Sequence, residues 1–159
     1  MSIIIRDITP ENVQEILQLR VKKYQTSFIE TPQKCLQDAK ACSFYQPVGL
    51  YTGKELVGFA MYGEFPGEDE IEDKRVWLDR YFIDHRYQGY GLGKQSLEAL
   101  IQHLVKQYNC EKIYLSVFKD NVQAIRIYQK YGFKFNGEID INGEKVMVKK
   151  VKGFDLKHL

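Results

Sequence analysis

Two adjoining segments, RVWLDRYFID (75–84) and HRYQGYGLGK (85–94), decide how the rest of the chain folds. The first reads as an apolar strand, the second as a glycine-rich turn that opens directly into a helix. Gly89, Gly91 and Gly93 fall at alternate positions. Glycine tolerates positive φ and lets a ligand come close to backbone N–H groups. The first N–H groups of a helix have no intrahelical partner and carry the positive end of its dipole. Strand, glycine turn and helix in that order therefore make a candidate phosphate cradle. Two familiar cradles are excluded by spacing. A P-loop needs Ser or Thr after its Gly-Lys pair and a Gly five residues before that pair; here Gln95 follows Lys94, and Gln88 occupies the earlier position. The dinucleotide fingerprint needs a glycine where Lys94 stands. A tight strand-to-helix connection with no ligand remains open from these residues alone.

Downstream of the turn, Leu92, Leu97, Leu100, Ile101, Leu104 and Val105 recur at helical spacing, predicting a helix from Gly91 to about Tyr108-Asn109. Lys112–Phe118 alternates as a strand, so strand, helix and strand imply a right-handed crossover and a local parallel pair. Asp120-Asn121-Val122-Gln123 has the spacing of a capping box. The helix it opens runs through Ala124, Ile125 and Tyr128 to a C-terminal Gly132. Phe133–Ile141 and Glu144–Val151 flank Asn142-Gly143, a two-residue hairpin signal.

Upstream, Ile3–Ile8 predicts a strand, and Thr9-Pro10 predicts the start of a helix that continues to about Lys23 through Val13, Ile16, Leu17 and Val21. Thr31-Pro32 repeats that start signal, with Cys35, Leu36 and Ala39 on the inner face. Gln46–Tyr51 and Glu55–Phe65 form a hairpin around Thr52-Gly53-Lys54. The expected order is βααβββαβαββ: an α/β (α+β) fold, a mixed central sheet of about seven strands flanked by four helices. At 159 residues, one domain over 1–159 is expected. A ligand crevice is expected beyond the carboxyl ends of the central parallel strands.

Composition excludes several classes of function. Charged residues at 28% and hydrophobic residues at 44% are ordinary for a soluble globular protein. No apolar run can span a bilayer, and MSIIIRDITPEN lacks the features of a cleavable leader. Net charge is +2 and there is no basic sheath, so nucleic acid is not expected as a partner. Cys35, Cys42 and Cys110 form no C-x-x-C pair, and His85, His103 and His158 have no ligand spacing. Reduced thiols, a cytoplasmic location and no metal are expected. Charge is uneven: Glu64, Glu68, Asp69, Glu70, Glu72 and Asp73 run together without a basic residue. A solvated loop would look like this, and so would a field that attracts a cationic substrate.

In the strand WLDRYFI, the turn QGYGLG, Asn121 opening the next helix with Ala124 and Tyr128 on it, and YQKYGFK at its end, the chain resembles the GCN5-related N-acetyltransferases, the GNAT superfamily. The motifs cover roughly Leu56 to Lys150. EKIYLSV, AIRIYQKYGFKFNGE and DINGE are similar, within that superfamily, to the small bacterial diamine, spermidine and spermine acetyltransferases. The resemblance implies acetyl transfer from acetyl-CoA to a primary amine of a polyamine, by direct attack in a ternary complex. It implies that the N–H groups of Gln88, Gly89, Tyr90, Gly91, Leu92, Gly93 and Lys94 hold the CoA pyrophosphate. The backbone of Tyr81, Phe82 and Ile83 would pair with the pantetheine arm and polarise the thioester carbonyl. Asn121 would bond the pantetheine region, and Tyr128 would protonate the departing thiolate; a phenol stays protonated at pH 7 and its basicity is near that of a thiolate. Glu64, Glu72, Trp77 and Asp79 are candidate contacts for the ammonium groups of the substrate. Asp79, Asp84 and Glu72 lie near the expected site as carboxylates that could serve as the base. The alternatives are a GNAT acting on an amino acid, an aminoglycoside or a protein N-terminus, or a CoA-binding module without catalysis. A homodimer is expected from the C-terminal strands and their apolar residues.

Overall fold

The computed structural model describes residues 2–67 and 74–151. Its strands are β1 (Ile3–Asp7), β2 (Gln46–Thr52), β3 (Glu55–Phe65), β4 (Arg75–Ile83), β5 (Lys112–Val117), β6 (Lys134–Ile139) and β7 (Lys145–Lys150). Its helices are α1 (Val13–Leu17), α2 (Pro32–Ala41), α3 (Leu92–Tyr108) and α4 (Val122–Lys130), with short 3-10 turns at Lys23–Gln25 and His85–Tyr87. The seven strands form one mixed sheet in the order β1-β2-β3-β4-β5-β7-β6, as the sequence predicts. Two compact units divide the chain: Met1–Gly63 with Asp79–Leu100, and Glu64–Leu78 with Ile101–Leu159.

In the first unit β1, β2 and β3 are antiparallel, from Ile3↔Thr52 to Asp7↔Val48 and from Gln46↔Tyr62 to Thr52↔Glu55. A register shift between Leu50 and Tyr51 bends β2. Ile16, Leu19, Cys35, Tyr51, Leu56, Phe59, Met61 and Phe82 form its core. Gly58 permits a close backbone approach there, since a Cβ would lie 2.5 Å from the Phe82 carbonyl oxygen. Thr31 caps α2 as predicted, its hydroxyl accepting from the Lys34 N–H at 3.2 Å, with Pro32 at the first helical position.

The first helix departs from prediction at both ends. Thr9-Pro10 forms a turn instead of the helix start; the Asn12 side chain accepts from the Thr9 N–H at 2.8 Å, and the helix begins at Val13. The helix stops at Leu17, short of Lys23. The Arg20 N–H goes to the Asp84 carboxylate at 3.0 Å instead of to an intrahelical carbonyl. The Arg20 guanidinium in turn caps the Leu17 and Leu19 carbonyls at 2.8 Å. A buried tertiary acceptor thus overrides helical periodicity.

In the second unit, β4 and β5 are parallel through Val76↔Ile113 and Trp77↔Tyr114. β5 pairs antiparallel with β7 from Lys112↔Lys150 to Val117↔Lys145. Ile113, Leu115, Val117, Val146, Met147, Leu104 and Phe133 are buried there. The turn joining β6 to β7 is wider than the two residues expected. Asp140 Oδ1 accepts from the N–H groups of Asn142 and Glu144, and the Asp140 N–H closes onto the Glu144 carbonyl at 2.8 Å. Gly143, at φ +81°, then sits in a three-residue loop with a bulge. The predicted capping box of α4 does not form. Asn121, not Asp120, is the N-cap residue, and its side chain makes no capping bond.

Candidate active site

In the first unit, the turn is built by a single aspartate. Asp84 is fully buried at the end of β4. Its Oδ2 accepts from the Arg20 N–H, and its Oδ1 accepts from the Arg86 N–H at 3.0 Å and from Arg86 Nε at 2.8 Å. Burial pushes against its charge, but the hydrogen bonds from Arg86 and from the backbone of Arg20 outweigh this and hold the carboxyl below its usual range. The sequence places Asp84 at the end of the strand and among candidate bases. The structure makes it the N-cap of the 85–87 turn, a carboxylate already saturated with donors. The Gln88 amide extends the clamp, donating to the Ile83 carbonyl at 2.8 Å and to Gln25 Oε1 at 2.9 Å. The Tyr81 hydroxyl donates to the Gly93 carbonyl and ties the strand to the first turn of α3.

The three glycines are not equivalent. Gly89 at φ +88° and Gly91 at φ +81° occupy the left-handed region with open space where a Cβ would lie. Gly93 is helical; a Cβ there would lie 3.5 Å from the Tyr81 hydroxyl, an ordinary contact. Tyr90 is 75% exposed and Lys94 is exposed, so the side chains of the turn leave its backbone open. Leu92 opens α3. A turn of this form, followed by the 17 residues of α3, offers N–H groups and a helix dipole to an anion.

Further along β4, Arg80 sits among Glu30 Oε2 at 3.3 Å, Asp38 Oδ2 at 2.8 Å and Asp79 Oδ2 at 3.2 Å. The Tyr45 ring lies 5.6 Å from the guanidinium. Burial disfavours the cation, but Cys35, Asp38 and Glu30 hold it charged. Asp79, a candidate substrate contact, is therefore an ion-pair partner of Arg80. Phe82 and Ile83 are buried.

In the second unit, α4 places Tyr128 through its C-terminal turn. The Gly132 N–H donates to the Gln129 carbonyl and the Phe133 N–H to the Tyr128 carbonyl, both at 3.0 Å. This is the hydrogen-bond pattern of a Schellman motif, with Gly132 at φ +94°. Its accompanying hydrophobic contact is the Tyr128 ring against buried Phe133, edge-on at 5.9 Å. Lys149 Nζ donates to the Tyr131 carbonyl at 2.5 Å and would meet a Cβ on residue 132 at 2.8 Å. Burial, and secondly the charge of Glu144, push the Tyr128 phenol up to about 12. Asn121 stands half-buried at the other end of the same helix, at φ −83° and ψ 68°.

The remaining candidates fall into separate neighbourhoods. Trp77 packs against Tyr114 at 5.3 Å, and the other side of that cluster is Arg75, 4.4 Å from the Tyr114 ring and bound to Glu138 at 2.7 and 2.9 Å. Glu64 instead acts on Tyr108 and Cys110; burial first, and Glu64 as well, raise both groups. Glu72 lies outside the described residues, as do Glu68, Asp69, Glu70 and Asp73. Sequence reading missed the clamps: Asp84 with Arg20 and Arg86, Tyr81 with Gly93, and Ser116 with Glu144. A signal for the first existed, since Asp two residues before Arg86 is a capping arrangement. Among the described residues, no group of His, Cys, Asp and Glu is arranged to hold a metal ion. Nor is any described helix long and apolar enough to cross a membrane.

A seven-stranded mixed sheet with a glycine turn leading into α3 is the architecture of an acyltransferase, and the chain belongs to the acetyltransferase (GNAT) family, whose model matches residues 13–133. Among curated relatives, the spermine/spermidine N(1)-acetyltransferase of Bacillus subtilis strain 168 is 59% identical over 152 residues, covering 95% of this chain and all of that protein. The spermidine N(1)-acetyltransferase of Escherichia coli K12 is 39% identical over 57 residues, 36% of this chain and 31% of that protein. Among solved structures, an aminoglycoside acetyltransferase in complex with coenzyme A and kanamycin superposes with a TM-score of 0.74 at 20% identity, covering 94% of this chain and 95% of that one. A PaiA N-acetyltransferase from Thermoplasma acidophilum with coenzyme A gives 0.63 at 21% identity, over 95% and 100%. The structural likenesses establish the fold.

Proposed function

We propose that this chain transfers the acetyl group of acetyl-CoA to a primary amine of spermidine, spermine or a diamine, by direct attack within a ternary complex. The observation that carries this reading is full-length identity of 59% to a spermine/spermidine N(1)-acetyltransferase. In this reading the backbone N–H groups of 88–94 hold the pyrophosphate of the cofactor. The backbone of Tyr81, Phe82 and Ile83 receives the pantetheine arm and the thioester carbonyl, and Asn121 bonds the pantetheine region. The neutral amine nitrogen attacks the carbonyl carbon and sheds a proton. The carbon–sulfur bond breaks, and the Tyr128 O–H delivers a proton to the sulfur. Burial disfavours phenolate and thiolate alike, so the raised phenol remains matched to a leaving group in the same surroundings.

Glu64, Glu72, Trp77 and Asp79 remain the candidate contacts for the ammonium groups, with Asp79 acting beside Arg80. We take 1–159 to work as one catalytic domain, in the cytoplasm, without nucleic acid or a membrane. A homodimer is supported by β6, whose six residues are all exposed, and by apolar Phe135, Ile139 and Ile141 along that segment. CoA release measured across a panel of amines tests the proposal. Polyamines should support turnover, and no turnover of any polyamine removes the substrate assignment.

A further inference from the structure

Strand register in the second unit puts a polar row on one face of the sheet. Trp77 is opposite Tyr114, Tyr114 opposite Val148, and Ser116 opposite Val146. Because side chains alternate along a strand, Tyr114 and Ser116 share a face with Val146, Val148 and Glu144. Ser116 donates its hydroxyl to Glu144 Oε2 at 2.7 Å, so the carboxylate is held at the start of β7. The backbone of Glu144 is fixed independently: its N–H goes to Asp140 Oδ1 at 2.8 Å, and its carbonyl receives the Asp140 N–H at 2.8 Å. Both the side chain and the main chain of Glu144 are thereby located by named partners.

The other charged groups around Tyr128 are committed elsewhere or turned outward. Arg126 and Lys130 on α4 are exposed, as are Asp120 ahead of it and Lys134 on β6. Lys149 is bound to the Tyr131 carbonyl, and Lys145 lies 5.6 Å from the Phe135 ring. Asp140 accepts the two N–H groups of its own loop. Glu144 is the charged group whose field reaches the phenol.

We propose that Glu144, held by Ser116, is a positioning residue of the reaction: its fixed negative charge keeps the Tyr128 hydroxyl protonated and ready to donate to the departing sulfur. The proposal rests on the reading of Tyr128 as the proton donor. A carboxylate beside the phenol opposes phenolate, and it also opposes thiolate at the position where Tyr128 would deliver its proton. It thus favours release of neutral thiol without weakening the donor relative to its acceptor.

The test uses the full chain carrying [13Cζ]tyrosine, with the Tyr128 resonance assigned by its loss in Tyr128→Phe. Glu144→Gln should keep the loop, whose backbone Asp140 holds, and should lower the Tyr128 titration midpoint by about half a unit or more, as removal of a like charge requires. Glu144→Asp, which restores the charge, should move the midpoint back towards the native value. The pH profile of kcat with spermidine should show its alkaline fall earlier in Glu144→Gln than in the native chain. A folded Glu144→Gln with an unchanged Tyr128 midpoint overturns the assignment of Glu144. An unchanged kcat in Tyr128→Phe overturns the reading of Tyr128 as the donor, and the assignment of Glu144 with it.

Discussion

The glycine turn of the first unit and the Tyr128 region of the second solve opposite problems. In the turn, side chains are the scaffold: Asp84, Gln88 and Tyr81 are spent on internal bonds, and the backbone N–H groups are what the turn offers a ligand. At Tyr128 the backbone is the scaffold. A Schellman motif and a ring contact fix the end of α4, and the side chain is the reactive group. The difference teaches how each region should answer mutation. Substitution at Tyr128 should remove chemistry while leaving binding, whereas substitution in the turn should weaken binding or stability while leaving the proton donor in place.

The largest effect is expected at Tyr128. Tyr128→Phe keeps the ring against Phe133 and removes the hydroxyl, so kcat should fall about 100-fold or more while CoA affinity by calorimetry changes little. A parallel loss of affinity would break the contrast between the regions. Asp84→Ala comes next. It removes one backbone acceptor from Arg20 and the clamp on Arg86, and should cost about 2–4 kcal/mol of unfolding free energy in urea titrations. Because the folded pKa of Asp84 is depressed, its contribution is present above the unfolded carboxyl value of about 3.9 and is lost as pH falls through the lower folded value. The stability gap between native and variant chains should therefore narrow in acid.

Smaller effects separate the glycines. Gly91→Ala places a side chain at φ +81°, which costs about 1–2 kcal/mol, so KM for acetyl-CoA should rise roughly 5- to 30-fold. Gly93→Ala should change it little, since its Cβ makes only an ordinary contact with Tyr81 and helical φ suits alanine. Equal effects at the two positions would contradict the reading of the turn as an N–H cradle shaped by positive φ at Gly89 and Gly91.

Sequence alone shows most of the strands because alternation and turn residues are local. The β2–β3 hairpin around Gly53, the long α3 periodicity and the C-terminal Gly132 of α4 all follow from neighbours in the chain. Three misreadings share one cause, a partner distant in sequence or a side chain competing with the backbone. Helix α1 ends early because Asp84, 64 residues on, takes the Arg20 N–H. The Asn142-Gly143 turn widens because Asp140 captures two N–H groups. The capping box at Asp120 gives way to Asn121 at the N-cap. At the candidate site the residue types were legible, but their commitments were not. Nothing local announces that Asp79 pairs with Arg80, or that Ser116 holds Glu144 across 28 residues.

The central claim concerns the acceptor, and competition tests it most directly. An equimolar mixture of spermidine, spermine, free amino acids and kanamycin, incubated with acetyl-CoA and the full chain, reports relative kcat/KM through its acetylated products by mass spectrometry. The account predicts that N-acetylated spermidine and spermine dominate. Dominance of an acetylated amino acid or aminoglycoside, or absence of any acetylated polyamine, would contradict it.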